Sequence, residues 1–476
     1  MNDSKENTPV IMWFRQDLRL TDNPALSLAL STGKPIIPLF ILEEGTHRPL
    51  GAASRWWLHH SLKALEESLQ YLCLRQGNPE KILKDIIAKT GANKIFWTQR
   101  FDPFGQKTDA AIEKTLTQEG LACHSLNSNY LLKPGTILNN SGKPFQIFTP
   151  YWKQCADNII SLPTDPAPTS IPLLKIPCDT LEEWKLQPSN PNWAADFPSH
   201  WKPGEKNASS ALEDFVNFKL PGYAVRRNLP DQEGTSRLSP HLHWGEISPR
   251  QVWNVVQDKF AKQHPYGDDV RTFLSELGWR EFAQDCLLRF PNLSTIPLRS
   301  EFNNFPWEDH PKNFLAWQRG QTGYPIVDAG MRQLWKTGWM HNRVRMIVAS
   351  FLVKDLLIPW QKGEAWFWDT LVDADEASNA MNWQWVTGCG VDAAPFFRIF
   401  NPVLQGEKFD PEGNYIRKWL PELKALPNSY IHKPWLAPSH ILQYSSIQLN
   451  KTYPSPIVDH KLRRQKALMA FKHLHS

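Results

Sequence analysis

Between residue 9 and about residue 150, compact apolar runs alternate with stretches of helical spacing. Runs 10–14, 35–42, 71–75 and 94–98 are bounded by polar or turn residues, the pattern of strands buried on both faces of a parallel sheet. Stretches 23–30, 54–69, 79–90 and 106–116 place apolar residues at helical spacing, and Pro24 and Pro79 stand where a first helical turn tolerates proline. This alternation predicts an α/β domain over 9–150, a doubly wound parallel sheet with its ligand crevice at the carboxyl ends of the strands.

The pattern then breaks. Nine prolines fall between Pro163 and Pro203, removing amide donors and fixing φ too often for regular structure, so 151–205 reads as a long connector. From 206 to 476 the spacing is helical, in segments 210–219, 250–263, 269–290, 325–337, 343–357 and 363–371. The second domain is therefore expected to be all-α. The basic stretch 458–476 reads as a solvated surface helix.

Composition narrows the classes. The 53 basic and 48 acidic residues leave a charge of +5, compatible with nucleic-acid binding without demanding it. Six scattered cysteines with no C-x-x-C suggest neither a disulfide framework nor a metal cradle. The polar N-terminus shows no leader and no apolar run is long enough to span a bilayer, so a cytoplasmic protein with no membrane partner is expected. The unusual number is 22 tryptophans, for most of which core packing is the first explanation.

Common catalytic motifs are missing. The first strand runs into Arg15-Gln16-Asp17-Leu18-Arg19-Leu20 rather than a glycine-rich pyrophosphate turn, and P-loop, zincin and nucleophile-elbow signatures are absent. Two polar constellations stand out. Gly234-Thr235-Ser236-Arg237-Leu238-Ser239-Pro240 offers hydroxyls, amides and a guanidinium suited to a phosphate, or equally to a helix cap. The second is His341-Asn342-Arg343-Val344-Arg345 with Asp373, Asp375 and Asn379, where Arg345 and an Asp could pair around a heteroaromatic ring or as a structural ion pair.

Met12 to Leu20 with Asp22-Asn23, Gly234 to Pro240, Trp279-Arg280-Glu281-Phe282, Gly323 to Ala329, Gly338 to Arg343 and Asn382 to Trp385 resemble, in order, the motifs of the photolyase and cryptochrome family. The resemblance covers residues 9 to 470. It implies an α/β antenna domain, a connector and a C-terminal helical domain holding FAD. Tyr223, Thr235, Ser236, Leu238 and Ser239 would then hold the phosphates and ribityl chain, with Arg280 nearby, while Asn342, Arg345, Asp373, Asp375 and Asn379 would surround the isoalloxazine.

The same resemblance implies light-driven repair of cyclobutane pyrimidine dimers in DNA, by electron transfer from photoexcited FADH− to a flipped-out dimer. Family members that repair (6-4) photoproducts place two histidines where this chain has Asn342 and Met346. Asn379 also departs from the Asp or Cys typical of plant and animal cryptochromes, so a class I or allied class III enzyme is favoured over the alternative, a cryptochrome-type photoreceptor. Glu276, Asn342 and Met346 would contact the dimer, with Trp279 and Trp385 against its bases, which photolyases in general extrude from the duplex. Arg227, Arg343, Gln405 and Lys408 would contact DNA phosphates. Trp383, Trp360 and Trp307 match an electron-transfer chain from flavin to surface. Gln106 stands where folate-binding members carry Glu, which leaves the antenna open between methenyltetrahydrofolate and a deazaflavin. A monomer is expected.

Overall fold

The computed structural model describes residues 8–160, 162–260, 267–394 and 397–474. The described residues within Met1–Trp193, Trp201–Pro221 and Ser236–Pro291 form one compact unit, and those within Ala194–His200, Gly222–Thr235 and Asn292–Ser476 a second.

The first unit is organised by five parallel strands, β1 (Val10–Phe14), β2 (Ile36–Glu43), β3 (Cys73–Gly77), β4 (Lys94–Thr98) and β5 (Ala122–Leu126), in the order β3-β2-β1-β4-β5. Helices α1 (Pro24–Leu30), α2 (Ala52–Leu69), α3 (Pro79–Thr90) and α4 (Pro103–Gln118) make the crossovers. On one face Ile11, Trp13, Ile37, Leu39, Ile95 and Trp97 pack with Leu83, Ile86, Ile112 and Leu116 of α3 and α4. Burial on both faces explains why the central strands are continuous apolar runs. Strand β5 has no such signal. Its Ala-Cys-His-Ser-Leu is only partly buried at the sheet edge, where polar positions are tolerated. The third strand begins at Cys73 rather than at residue 71.

Helix α5 (Phe148–Asn158) carries regular structure to Asn158, so the irregular stretch starts later than the proline count suggests. That stretch covers the sheet. Ile36 bonds Pro172 O and Leu174 N, at the start of β2 before its pairing with β3 begins, and Asp179 N donates to Leu74 O along the edge strand β3. Prolines suit this role because each removes a donor that would otherwise need a partner.

The second unit is helical. Helices Pro325–Thr337, Asn342–Ser350, Trp360–Thr370 and Glu376–Thr387 surround a core including Val344, Ile347, Val348, Phe351, Leu352 and Trp383. The helix expected over 343–357 is divided: Asn342–Ser350 continues as a π-helical turn, Phe351–Asp355. The predicted 250–263 helix is seen as Pro249–Phe260, and its end lies outside the described residues.

The basic C-terminal helix His460–His473 is docked rather than solvated, a correction to the charge-based reading. Ala467 and Ala470 are buried and Phe471 and Leu474 pack on the same core, an apolar stripe narrowed by the long cations around it. Arg463 and Lys466 pair with Glu308 at 2.9 and 2.5 Å, and His460 with Asp355 at 2.5 Å. Burial raises the Glu308 carboxyl, but bonds from Lys466, Arg463 and His310 outweigh it and bring it down to about 2. A lowered carboxyl stabilises the fold fully above its unfolded value of 4.5, and that stability is lost as pH falls towards about 2. Glu308→Gln should therefore lose about 1–2 kcal/mol at pH 7, discounted for solvent screening of the partly exposed pairs. Urea-unfolding curves of the two proteins should converge as the pH falls through this window.

Candidate flavin and DNA site

In the first unit, three of the expected residues share one face of helix Gly267–Arg289. Glu276, Trp279 and Arg280 are three and four residues apart, the spacing that aligns side chains along a helix. Arg280 donates to Asn129 O at 2.5 Å and Leu242 O at 3.4 Å, and lies over the Tyr130 ring. It therefore ties helix Ser239–His243 to the loop after β5. That short helix is capped by Leu238, with no side-chain cap bond, and Ser236 Oγ accepts from Leu238 N at 3.3 Å. Leu238, and none of the neighbouring hydroxyl residues, therefore occupies the N-cap position.

At the sheet's switch point between β1 and β4, charged side chains occupy the strand ends. Arg15 reaches Asp109 at 2.5 Å and Glu43 at 3.1 Å, while Arg100 pairs with Glu43 at 3.2 Å and Asp102 at 2.7 Å. Gln106, the residue on which the antenna reading turns, lies in the first turn of α4 behind its Asp102 cap.

In the second unit the other constellation assembles around helix Asn342–Ser350. Arg345 donates to both Asp373 oxygens at 2.8 and 3.1 Å and to Met340 O at 2.7 Å. Asp373 is nearly buried, with its side chain 4% exposed, so the pair is not a surface bridge. Asp375 caps helix Glu376–Thr387 through Ser378 N at 2.8 Å. One turn on, Asn379 Nδ2 donates to Glu364 O at 3.0 Å and Glu364 Oε1 at 2.8 Å. Two oxygen acceptors define the amide orientation, which leaves Asn379 Oδ1 as an acceptor for a ligand N–H. Glu364 is not conspicuous in the sequence; its role depends on helix Trp360–Thr370 packing against helix Glu376–Thr387.

Asn342, Arg345 and Met346 are three and four residues apart, so they lie along one side of their helix. Arg343 donates to Asn228 Oδ1 at 2.6 Å, approaches Met346 Sδ at 3.8 Å and lies over Phe409, as does Lys408. Burial, and then the neighbouring Arg227 and Arg398, lower the Arg343 pKa. Three guanidiniums are thus gathered beside helix Pro402–Phe409, which also carries Gln405. Arg398 was missed because it lies in no helical pattern or motif, and only folding sets it near Arg343. Trp385 donates its indole N–H to Asp392 O at 2.9 Å.

Trp383 and Trp360 are buried, at 3% and 1% exposure, whereas Trp307 is only partly buried against the same core. A side chain at Gly363 would stand 2.2 Å from Trp383 Cη2, so this glycine lets Trp383 lie on the helix that begins with Trp360. Tyr223 and Thr235 also belong to this unit, and a side chain at Gly234 would stand 2.8 Å from Arg226 O.

In the second unit, a fixed amide acceptor and a guanidinium paired with a nearly buried carboxylate fit a flavin ring. Among the described residues no cluster could hold a metal, and no helix is long and apolar enough to cross a membrane.

Residues 10–171 match the family described as DNA photolyase, and residues 273–473 match the FAD-binding domain of DNA photolyase. The chain is 50% identical over 475 residues to a deoxyribodipyrimidine photo-lyase of Agrobacterium fabrum, covering 98% of each. It is 41% identical to Cryptochrome-1 of Arabidopsis thaliana, covering 96% of this chain and 70% of that one. The crystal structure of a class III photolyase from Agrobacterium tumefaciens superposes with a TM-score of 0.95 at 49% identity, over 98% of each chain. The chain belongs to the DNA photolyase family.

Arg345→Met would strip Asp373 of its guanidinium inside a nearly buried site. We expect a loss of about 3 kcal/mol in urea unfolding and a lower FAD-to-protein ratio, with much of the stability restored in the Arg345→Met/Asp373→Asn double variant.

Proposed function

We propose that this protein is a monomeric cytoplasmic enzyme, a deoxyribodipyrimidine photo-lyase that uses light to repair cyclobutane pyrimidine dimers in DNA. One observation carries the reading: a single helix aligns Asn342 and Met346 with Arg345, whose guanidinium pairs with Asp373. The two residues assigned to the lesion and one assigned to the flavin are thereby held by the same rigid element. The 49% identity and TM-score of 0.95 to a class III photolyase favour that class.

When bound and reduced, FAD supplies the photochemistry: absorption of blue or near-ultraviolet light and donation of one electron that is returned once the cyclobutane ring has opened. The protein supplies position and field. Tyr223, Thr235, Ser236, Leu238 and Ser239 hold the phosphates and ribityl chain, with Arg280 bracing their helix. Asn342, Arg345, Asp373, Asp375 and Asn379 hold the ring, and the Asn379 carbonyl oxygen accepts a hydrogen bond that favours the reduced form. Glu364 keeps that oxygen turned to its task. Glu276, Asn342 and Met346 contact the dimer, and Trp279 and Trp385 stack on its extruded bases. Arg227, Arg343, Arg398, Gln405 and Lys408 hold the flanking phosphates, contacts that set affinity and its salt dependence but not sequence choice. Trp307, Trp360 and Trp383, ordered from partly exposed to buried, pass single electrons inward from the surface.

The direct test is a duplex bearing one thymine dimer, incubated with prereduced holoprotein under blue light and in darkness. Thymines should be restored only in light; no repair in light with reduced FAD bound overturns the enzyme reading in favour of a photoreceptor. Trp360→Phe should slow photoreduction of the oxidised protein by about tenfold or more, while repair by prereduced protein changes by less than about twofold. Equal losses in both assays would remove Trp360 from the electron path.

A further inference from the structure

We infer that Phe148, at the start of α5, is a positioning residue for lesion recognition: it covers one face of Trp279 and thereby presents the opposite face to the flipped dimer. The inference rests on the repair reading above and deepens it. The Phe148 and Trp279 ring centroids are 3.7 Å apart and their planes differ by 9°. At that separation the rings are in full face-to-face contact, closer and less offset than aromatic pairs usually settle. Nothing else can stack on the covered face. Phe282, fully buried, meets Trp279 edge-on at 5.9 Å and 75° and supports a second side of the indole.

Phe148 is itself braced. Trp152 lies nearly parallel to it, at 6.4 Å and 7°, and meets Trp253 edge-on at 6.1 Å. A side chain at Gly278 would stand 2.3 Å from Trp152 Cε3, so glycine at this position lets Trp152 lie against the backbone just before Trp279. The face-on support for Trp279 thus comes from α5, outside every motif through which the sequence resembles its family. Phe148 is 8% exposed, whereas Trp279 is half-buried. This is the arrangement of a platform with a working face. A preset indole plane lowers the ordering cost of stacking on a base, and an aliphatic side chain of similar volume would fill the space without fixing the plane.

The test is equilibrium binding in darkness, with FAD-loaded full-length protein and two duplexes, one bearing a single thymine cyclobutane dimer and one undamaged. Phe148→Leu should weaken binding of the dimer duplex by about fivefold, and Phe148→Tyr should restore it to within about twofold. Undamaged DNA, bound FAD and flavin photoreduction should be unchanged in both variants. In a Trp279→Ala background Phe148→Leu should have no further effect. The inference is overturned if Phe148→Leu leaves dimer binding intact, weakens both duplexes equally, or costs as much without Trp279 as with it. Wild-type protein that binds the two duplexes equally would instead overturn the repair reading, and this inference with it.

Discussion

A fully buried guanidinium holds the first unit together. Arg19 has no exposed surface, and burial lowers its pKa against the opposing pull of Asp17, Asp22 and Glu205. Such a charge is tolerated only when its donors are satisfied. Arg19 bonds Asp22 O, Ser128 O, Ser128 Oγ, Asn129 Oδ1 and Gly245 O, drawing the end of β1, the loop after β5 and the turn after helix Ser239–His243 to one point. Gly245 has φ +66°, and a side chain there would stand 1.9 Å from Gln16 O, so only glycine admits this approach. Asp17 completes the knot by accepting from Arg15 N at 2.7 Å and Thr98 Oγ1 at 2.6 Å. The segment that replaces a pyrophosphate turn is therefore a structural clasp. Arg280 reinforces it by binding Asn129 O from the far side.

The second unit follows the same economy with its buried charges. Asp373 is answered by Arg345, and Asn379 is held by Glu364, so the polar groups assigned to the flavin are fixed before any ligand arrives. Preorganisation of this kind keeps a donor or acceptor from turning away when charge on its partner changes. The clustered Arg343, Arg227 and Arg398 repel one another, and together with burial this lowers the Arg343 pKa. A net charge of +5 is enough for a protein that concentrates cations in one place.

Legibility varied with how local each signal is. Strands β1, β2 and β4 were readable because burial on both faces forces an apolar run, and the edge strand β3 because its first residues are buried. The edge strand β5 was not, because partial exposure admits Cys, His and Ser. The docked tail helix was obscured because its buried face consists mainly of small alanines among long cations. At the site, Arg345, Asp373, Asn379, Asn342 and Met346 were marked by spacing and family resemblance, since one helix and one cap place most of them. Arg398, Glu364 and Gly363 were silent, because each acts through a neighbour distant in sequence.

The 22 tryptophans show the division most plainly. Their number and the family motifs are properties of the amino-acid sequence alone, as are the helix caps at Asp102 and Asp375 and the parallel core, because each depends on nearby residues or on burial that composition dictates. Which indole does what is a property of the folded chain. Trp97 fills the sheet core; Trp383 lies where Gly363 makes room; Trp279 is held flat by Phe148. The physical reason is that stacking acts over a few ångströms and between specific faces, and only tertiary packing brings those faces together.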